Sequence, residues 1–132
     1  MLLFAALMFA QDVPCPAIDA ALAAPLAGWT VPGERLEVGR PVVLDATGGA
    51  VRINFQVETA GRYGIALDQG GWIDVFASVS DGTPLVSVAH GHGPACSTIR
   101  KIVRFNLYPG VYQLALSRLP NPRAKVMLVA PD

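Results

Sequence analysis

The stretch Val51-Arg52-Ile53-Asn54-Phe55-Gln56-Val57-Glu58 decides the fold. Val51, Ile53, Phe55 and Val57 occupy every second position, and polar residues occupy the positions between. Side chains of an extended chain point alternately to opposite faces, so this spacing predicts a strand with one face buried and the other wet. Tyr63, Ile65 and Leu67 resume the alternation after Gly61, and Ile73, Val75, Ala77 and Val79 do so after Gly70-Gly71, ending at Asp81-Gly82. Segments Pro41–Asp45, Leu85–His90, Ile99–Leu107, Gly110–Ser117 and Lys125–Ala130 complete the pattern. About eight short strands at intervals of about eight to twelve residues predict an all-β protein, an antiparallel β-sandwich of jelly-roll type.

The pattern echoes itself. Phe55-Gln-Val57-Glu-Thr-Ala-Gly61-Arg-Tyr63-Gly-Ile65-Ala-Leu67 matches Phe105-Asn-Leu107-Tyr-Pro-Gly110-Val-Tyr112-Gln-Leu114-Ala-Leu116, with one residue fewer in the turn. Each copy reads as a hairpin whose second strand opens with Gly-x-Tyr, the ring packing while the hydroxyl reaches a neighbouring backbone. Two such hairpins predict pseudo-symmetric halves packed face to face. Ahead of them, Ile18, Leu22 and Leu26 fit a short helical turn broken by Pro25 and Gly28. Residues 11–34 are therefore read as a capping segment, with Trp29 over one end of the core, and residues 35–132 as the sandwich domain.

Apolar residues make up 52% of the 132 and charged residues 15%, with ten basic and ten acidic side chains in balance. Nucleic-acid binding needs a basic footprint, which this composition lacks. Met1–Ala10 (MLLFAALMFA) is uninterrupted apolar sequence followed by Gln11-Asp12, as at the end of a secretory signal peptide. No Lys or Arg precedes the run and Met8 is bulky for its place, departures that a start codon further upstream would explain. The run is too short for a membrane span of about 20 residues. Export makes the only two cysteines, Cys15 and Cys96, a predicted disulfide closing a loop of about 80 residues, worth about 4 kcal/mol.

The repeated pattern of aromatic, aliphatic and Gly-x-Tyr-x-aliphatic-x-Leu is similar to the pre-peptidase C-terminal domain family, small exported bacterial β-sandwiches, over roughly residues 50–130. The resemblance implies fold and export; those domains usually accompany secreted enzymes. A second resemblance lies in His90-Gly-His92-Gly-Pro-Ala-Cys96-Ser-Thr-Ile-Arg100-Lys101, Ala27-Gly28-Trp29 and Gly71-Trp72-Ile73-Asp74-Val75. These resemble short exported bacterial proteins, some of them labelled homogentisate dioxygenase. That label implies iron held by two histidines and a carboxylate. His90 and His92 would supply the nitrogens and Asp74 the nearest carboxylate; there is no third histidine.

Residues Val88–Lys101 therefore carry most of the candidate chemistry. His90 and His92, two apart on a strand, share a face and can converge on copper or zinc, with Cys96 as a thiolate and Cys15 or Met127 completing the set. A Cys15–Cys96 disulfide would withdraw both sulfurs. Arg100 and Arg104, on the face opposite Val103 and Phe105, form a basic pair fit for a carboxylate or phosphate, or a solvated strand face. Asp74, in an apolar strand, needs a partner if buried, and His90, Arg100 and Lys101 are the candidates. A triad of Ser97, His92 and Asp74 lacks the turn such nucleophiles use. The expectation is an exported, non-catalytic binding or accessory module. Its partner would be a small ligand or an exported protein, bound beside His90, His92, Asp74, Arg100 and Lys101. A periplasmic copper or zinc protein and an iron dioxygenase are the alternatives.

Overall fold

A computed structural model describes residue 15, residues 17–79 and residues 82–132; the expected leader at 1–10, the start of the capping segment and Asp81 of the turn lie outside the described residues. The protein is an all-β sandwich. Its strands are β1 (Val42–Asp45), β2 (Val51–Val57), β3 (Gly61–Leu67), β4 (Trp72–Ala77), β5 (Ala89–His92), β6 (Lys101–Leu107), β7 (Gly110–Ser117) and β8 (Arg123–Val129). They form an antiparallel sheet of order β1-β8-β3-β6-β5 facing a smaller one of order β2-β7-β4. The main core lies between them, on the inward positions that alternation selects: Phe55, Val57, Ile65, Leu67, Val75, Phe105, Leu114, Leu116, Val126 and Leu128 are all buried.

The echoing units are not hairpins. β2 and β3 lie in different sheets, as do β6 and β7, so each short connection is an arch over the top of the core. The two arches interlock, β2 pairing with β7 and β3 with β6, so that each unit adds one strand to each sheet. Phe55 stacks on Tyr112 at 5.6 Å between ring centroids, and Tyr63 stands opposite Phe105. A tyrosine pins each arch. The Tyr63 hydroxyl donates to the Thr59 carbonyl (2.5 Å), and the Tyr112 hydroxyl donates to the Tyr108 carbonyl (3.0 Å) while accepting from the Tyr108 amide (2.9 Å). Both reach four residues back, the device that fixes sandwich corners. The pseudo-symmetry is real, but its halves interdigitate.

The order β1-β8-β3-β6 facing β2-β7-β4 is that of a jelly roll in which β5 has left the edge beside β4 and joined the edge beside β6. Alternation over-extended two strands here. Val79 and Val86 are exposed, β4 stops at Ala77, and β5 spans Ala89–His92 instead of Leu85–His90. The intervening chain keeps single ladder bonds, Leu85 N–H to Val75 O and Val88 N–H to Arg104 O.

The capping segment forms turns and one 3₁₀ helix, Ala27–Thr30, with no longer helix among the described residues. Trp29 does not cover one end of the core. With Ala66, Ile99, Met127 and Val129 it forms a second apolar cluster on the outer face of the larger sheet, against which Leu22, Leu26 and Ile102 pack. That sheet is thus buried on both faces at its centre. The close approach is possible because Gly28 lacks a Cβ, which would sit 1.8 Å from the Gly39 carbonyl oxygen.

Asp132 joins two strands of the outer face, 3.2 Å from Arg62 of β3 and 3.2 Å from Arg104 of β6. The Arg62 hydrogen bond, then the Arg104 charge, hold its carboxyl below its ordinary value. A carboxylate with a depressed folded value stabilises above its unfolded value of about 3.9 and loses that contribution as pH falls through the folded value. Asp132→Asn should therefore lower Tm slightly at pH 7, the carboxylate being exposed, and by less near about pH 2. Thermal melts at both pH values check this; an equal deficit at both contradicts the ion-pair account.

Candidate functional site

The sheet edges β4 and β5 face each other without pairing, and a cleft of about 520 Å³ lies at that edge. Gly70, Trp72 and Ile73 line it from the smaller sheet's side and Ser87 and His90–His92 from the opposite side, with Arg100, Lys101 and Val103 forming the rest. Cross-strand register orients the imidazoles. His90 is opposite Val103 and His92 opposite Lys101, and directly paired residues share a face. Val103 is buried in the main core, so both histidines project toward the cleft, where they remain exposed.

Lys101 shares the inward parity of Val103 and Phe105. Its ammonium crosses to the other sheet and donates to the Gly71 carbonyl at 2.7 Å, bridging the cleft floor. Arg100 and Arg104 part company: Arg104 goes to Asp132, while Arg100 lines the cleft. Among the described residues neither Arg100 nor Lys101 has an ion-pair partner. Trp72, at the rim, has the Arg118 guanidinium over its ring at 5.7 Å.

Asp74 is elsewhere. Its neighbours Ile73 and Val75 face the core, so alternation turns Asp74 to the outer face of the smaller sheet, opposite Ala115. Among the described residues it makes no hydrogen bond or ion pair with His90, Arg100 or Lys101. The carboxylate implied by the dioxygenase resemblance is therefore not beside His90 and His92. No triad forms with Ser97 either. Its hydroxyl donates to the Pro94 carbonyl (2.7 Å) and accepts from the Ile99 amide (3.3 Å) within its own turn.

The predicted disulfide is present. Cys15 and Cys96 are bonded with Cα atoms 5.4 Å apart, and no free cysteine remains among the described residues. Neither sulfur is a thiolate ligand, and Met127 is wholly buried beneath Trp29. Among the described residues no three His, Cys, Asp or Glu side chains gather as a metal site. A disulfide of this kind belongs to an oxidising, extracellular-type compartment.

Sequence reasoning missed Asp19. Its carboxylate accepts from the Thr98 amide (2.7 Å) and hydroxyl (2.6 Å), and its amide donates to the Cys96 carbonyl (2.9 Å). Thr98 in turn accepts from the Trp29 indole at 2.9 Å. This clamp and the disulfide fix the segment between β5 and β6, where a Cβ on Gly93 would lie 2.1 Å from the Ile99 carbonyl oxygen. A lone acid among alanines carries no signal of such a role. Trp72 was legible only as a strand residue, because its place at the cleft depends on where β5 goes.

No family model matches the chain, and no curated protein matches it. Among the described residues no helix is long and apolar enough to cross a membrane.

Proposed function

We propose that this chain is an exported, non-catalytic binding module, of the accessory kind its sequence resembles, that takes a small ligand between the edge strands β4 and β5. The cleft carries this reading. It gathers both imidazoles, Arg100 and Lys101 with the apolar Ile73 and Val103 and with Trp72 at the rim, and its volume of about 520 Å³ suits a small molecule. The disulfide and the Asp19 clamp hold the segment leading from β5 to β6, which is the preorganisation a binding site requires. Among the described residues Ser87 is the only hydroxyl at the cleft, and no hydrogen bond joins it to either imidazole. The leader-like Met1–Ala10 and the disulfide support release to the periplasm or beyond.

A fragment library screened by NMR against the disulfide-bonded chain should give hits that shift His90, His92 and Trp72 signals. His90→Trp, at an exposed position, fills the cleft and should abolish them. Hits scattered over the surface, or surviving in His90→Trp, overturn the reading.

The shared face of His90 and His92 favours a second reading, copper or zinc binding by two imidazoles with further ligands from outside the chain. Stoichiometric metal in the dialysed protein, lost in a His90→Ala, His92→Ala variant, is its expected result; metal-free protein ends it.

A further inference from the structure

Resting on the reading of this cleft as a ligand site, we infer that the ligand is a small organic carboxylate with an apolar body. Charge comes first. Arg100 and Lys101 line the cleft with His90 and His92, and among the described residues no Asp or Glu lines it. The nearest acid along the strand, Asp74, is turned to the other side of its sheet. Every ion pair among the described residues uses other cations: Arg62 and Arg104 with Asp132, and Arg123 with Asp45. Across a molecule whose acids and bases balance, this is a local excess of unneutralised positive charge. A recess with apolar walls concentrates such a field and draws an anion.

Geometry adds the head group's place. The Lys101 ammonium is held by one hydrogen bond to Gly71 and has two further donors. An Arg guanidinium presents a planar fork that matches a carboxylate with two parallel bonds. The body follows from the walls. Ile73 and Val103 line the same space from the core side, and Trp72, which has the outward parity of Asp74, stands at the rim, 57% exposed although large and apolar, surface that an apolar group reaching the rim would cover. A bare inorganic anion would satisfy the charges and leave the exposed Trp72 surface wet.

The test uses the full, disulfide-bonded chain and three probes: octanoate, octanol and inorganic phosphate. Octanoate should bind saturably at one site, shifting His90, His92 and Trp72 signals, and octanol and phosphate should each bind at least about tenfold more weakly. Arg100→Gln should weaken octanoate about tenfold, while Arg104→Gln, outside the cleft, should leave it unchanged. Octanol as good as octanoate removes the charge, and phosphate as good as octanoate removes the body; either overturns the carboxylate and leaves a ligand cleft standing. Fragment hits in the cleft without octanoate binding also refute the ligand class alone. Cleft signals unmoved by any fragment or probe refute the binding module itself.

Discussion

Replacing Cys15 and Cys96 together with serine should lower Tm by roughly 12–16 °C. The two cysteines are 81 residues apart in sequence. In the chain-entropy description a cross-link closing such a loop stabilises by about 4 kcal/mol, through the conformations it denies the unfolded chain. For a domain of this size each kcal/mol corresponds to roughly 3–4 °C. The native state contributes a local effect as well. Cys96 has a φ of +58°, a left-handed conformation that the disulfide and the hydrogen bond from the Asp19 amide to its carbonyl help to hold. Amide exchange between Gly93 and Thr98 should therefore accelerate in the serine variant more than exchange in β3 or β8. Calorimetry under non-reducing conditions is the measurement. Mass spectrometry should find the native chain two hydrogens lighter than its reduced form; two titratable thiols, or an unchanged Tm, would show that the bond contributes nothing.

Trp29→Ala should cost about 3–5 kcal/mol, the range for removing a large aromatic from a packed site. The ring is fully buried against Ala66, Ile99, Met127 and Val129, and the Lys125 ammonium lies 4.7 Å from its centroid. Its removal would uncover the outer face of the larger sheet at the strands that carry the core on their other side. Trp29→Phe separates the contributions. It keeps most of the apolar contact and loses the indole hydrogen bond to Thr98, for a cost of about 1 kcal/mol beyond any packing change. Denaturant melts of both variants check the ranking. A Trp29→Ala variant within about 1 kcal/mol of the parent would mean that the capping segment is decoration on a self-sufficient sandwich.

Some of the site was legible because parity is a local property. Once Val103 and Phe105 are inward, Lys101 must be inward too, so its place in the cleft follows from counting by twos. The same count sends Asp74 outward from Ile73 and Val75, and expecting it beside His90 gave an apolar neighbourhood more weight than the alternation deserved. Arg100 precedes β6, so parity did not bind it, and it turned from the predicted partnership with Arg104 to the cleft. The disulfide was legible for a different reason: two cysteines admit one intramolecular pairing.

The order of residues alone determined that this is a β protein of eight short strands, which residues face inward, and that sulfur ties its beginning to the segment after its histidines. Those are consequences of side-chain period and of composition, readable within a few residues. Tertiary structure decided that the tyrosine-bearing units are interlocked arches, that Trp29 covers the far side of a sheet, and that β5 pairs with β6 and not with β4, leaving a cleft between the two. Alternation states which side chains share a face and is silent on which strand lies alongside. That choice is made by packing between distant segments, where Phe55 meets Tyr112 and Tyr63 meets Phe105, and no local pattern contains it.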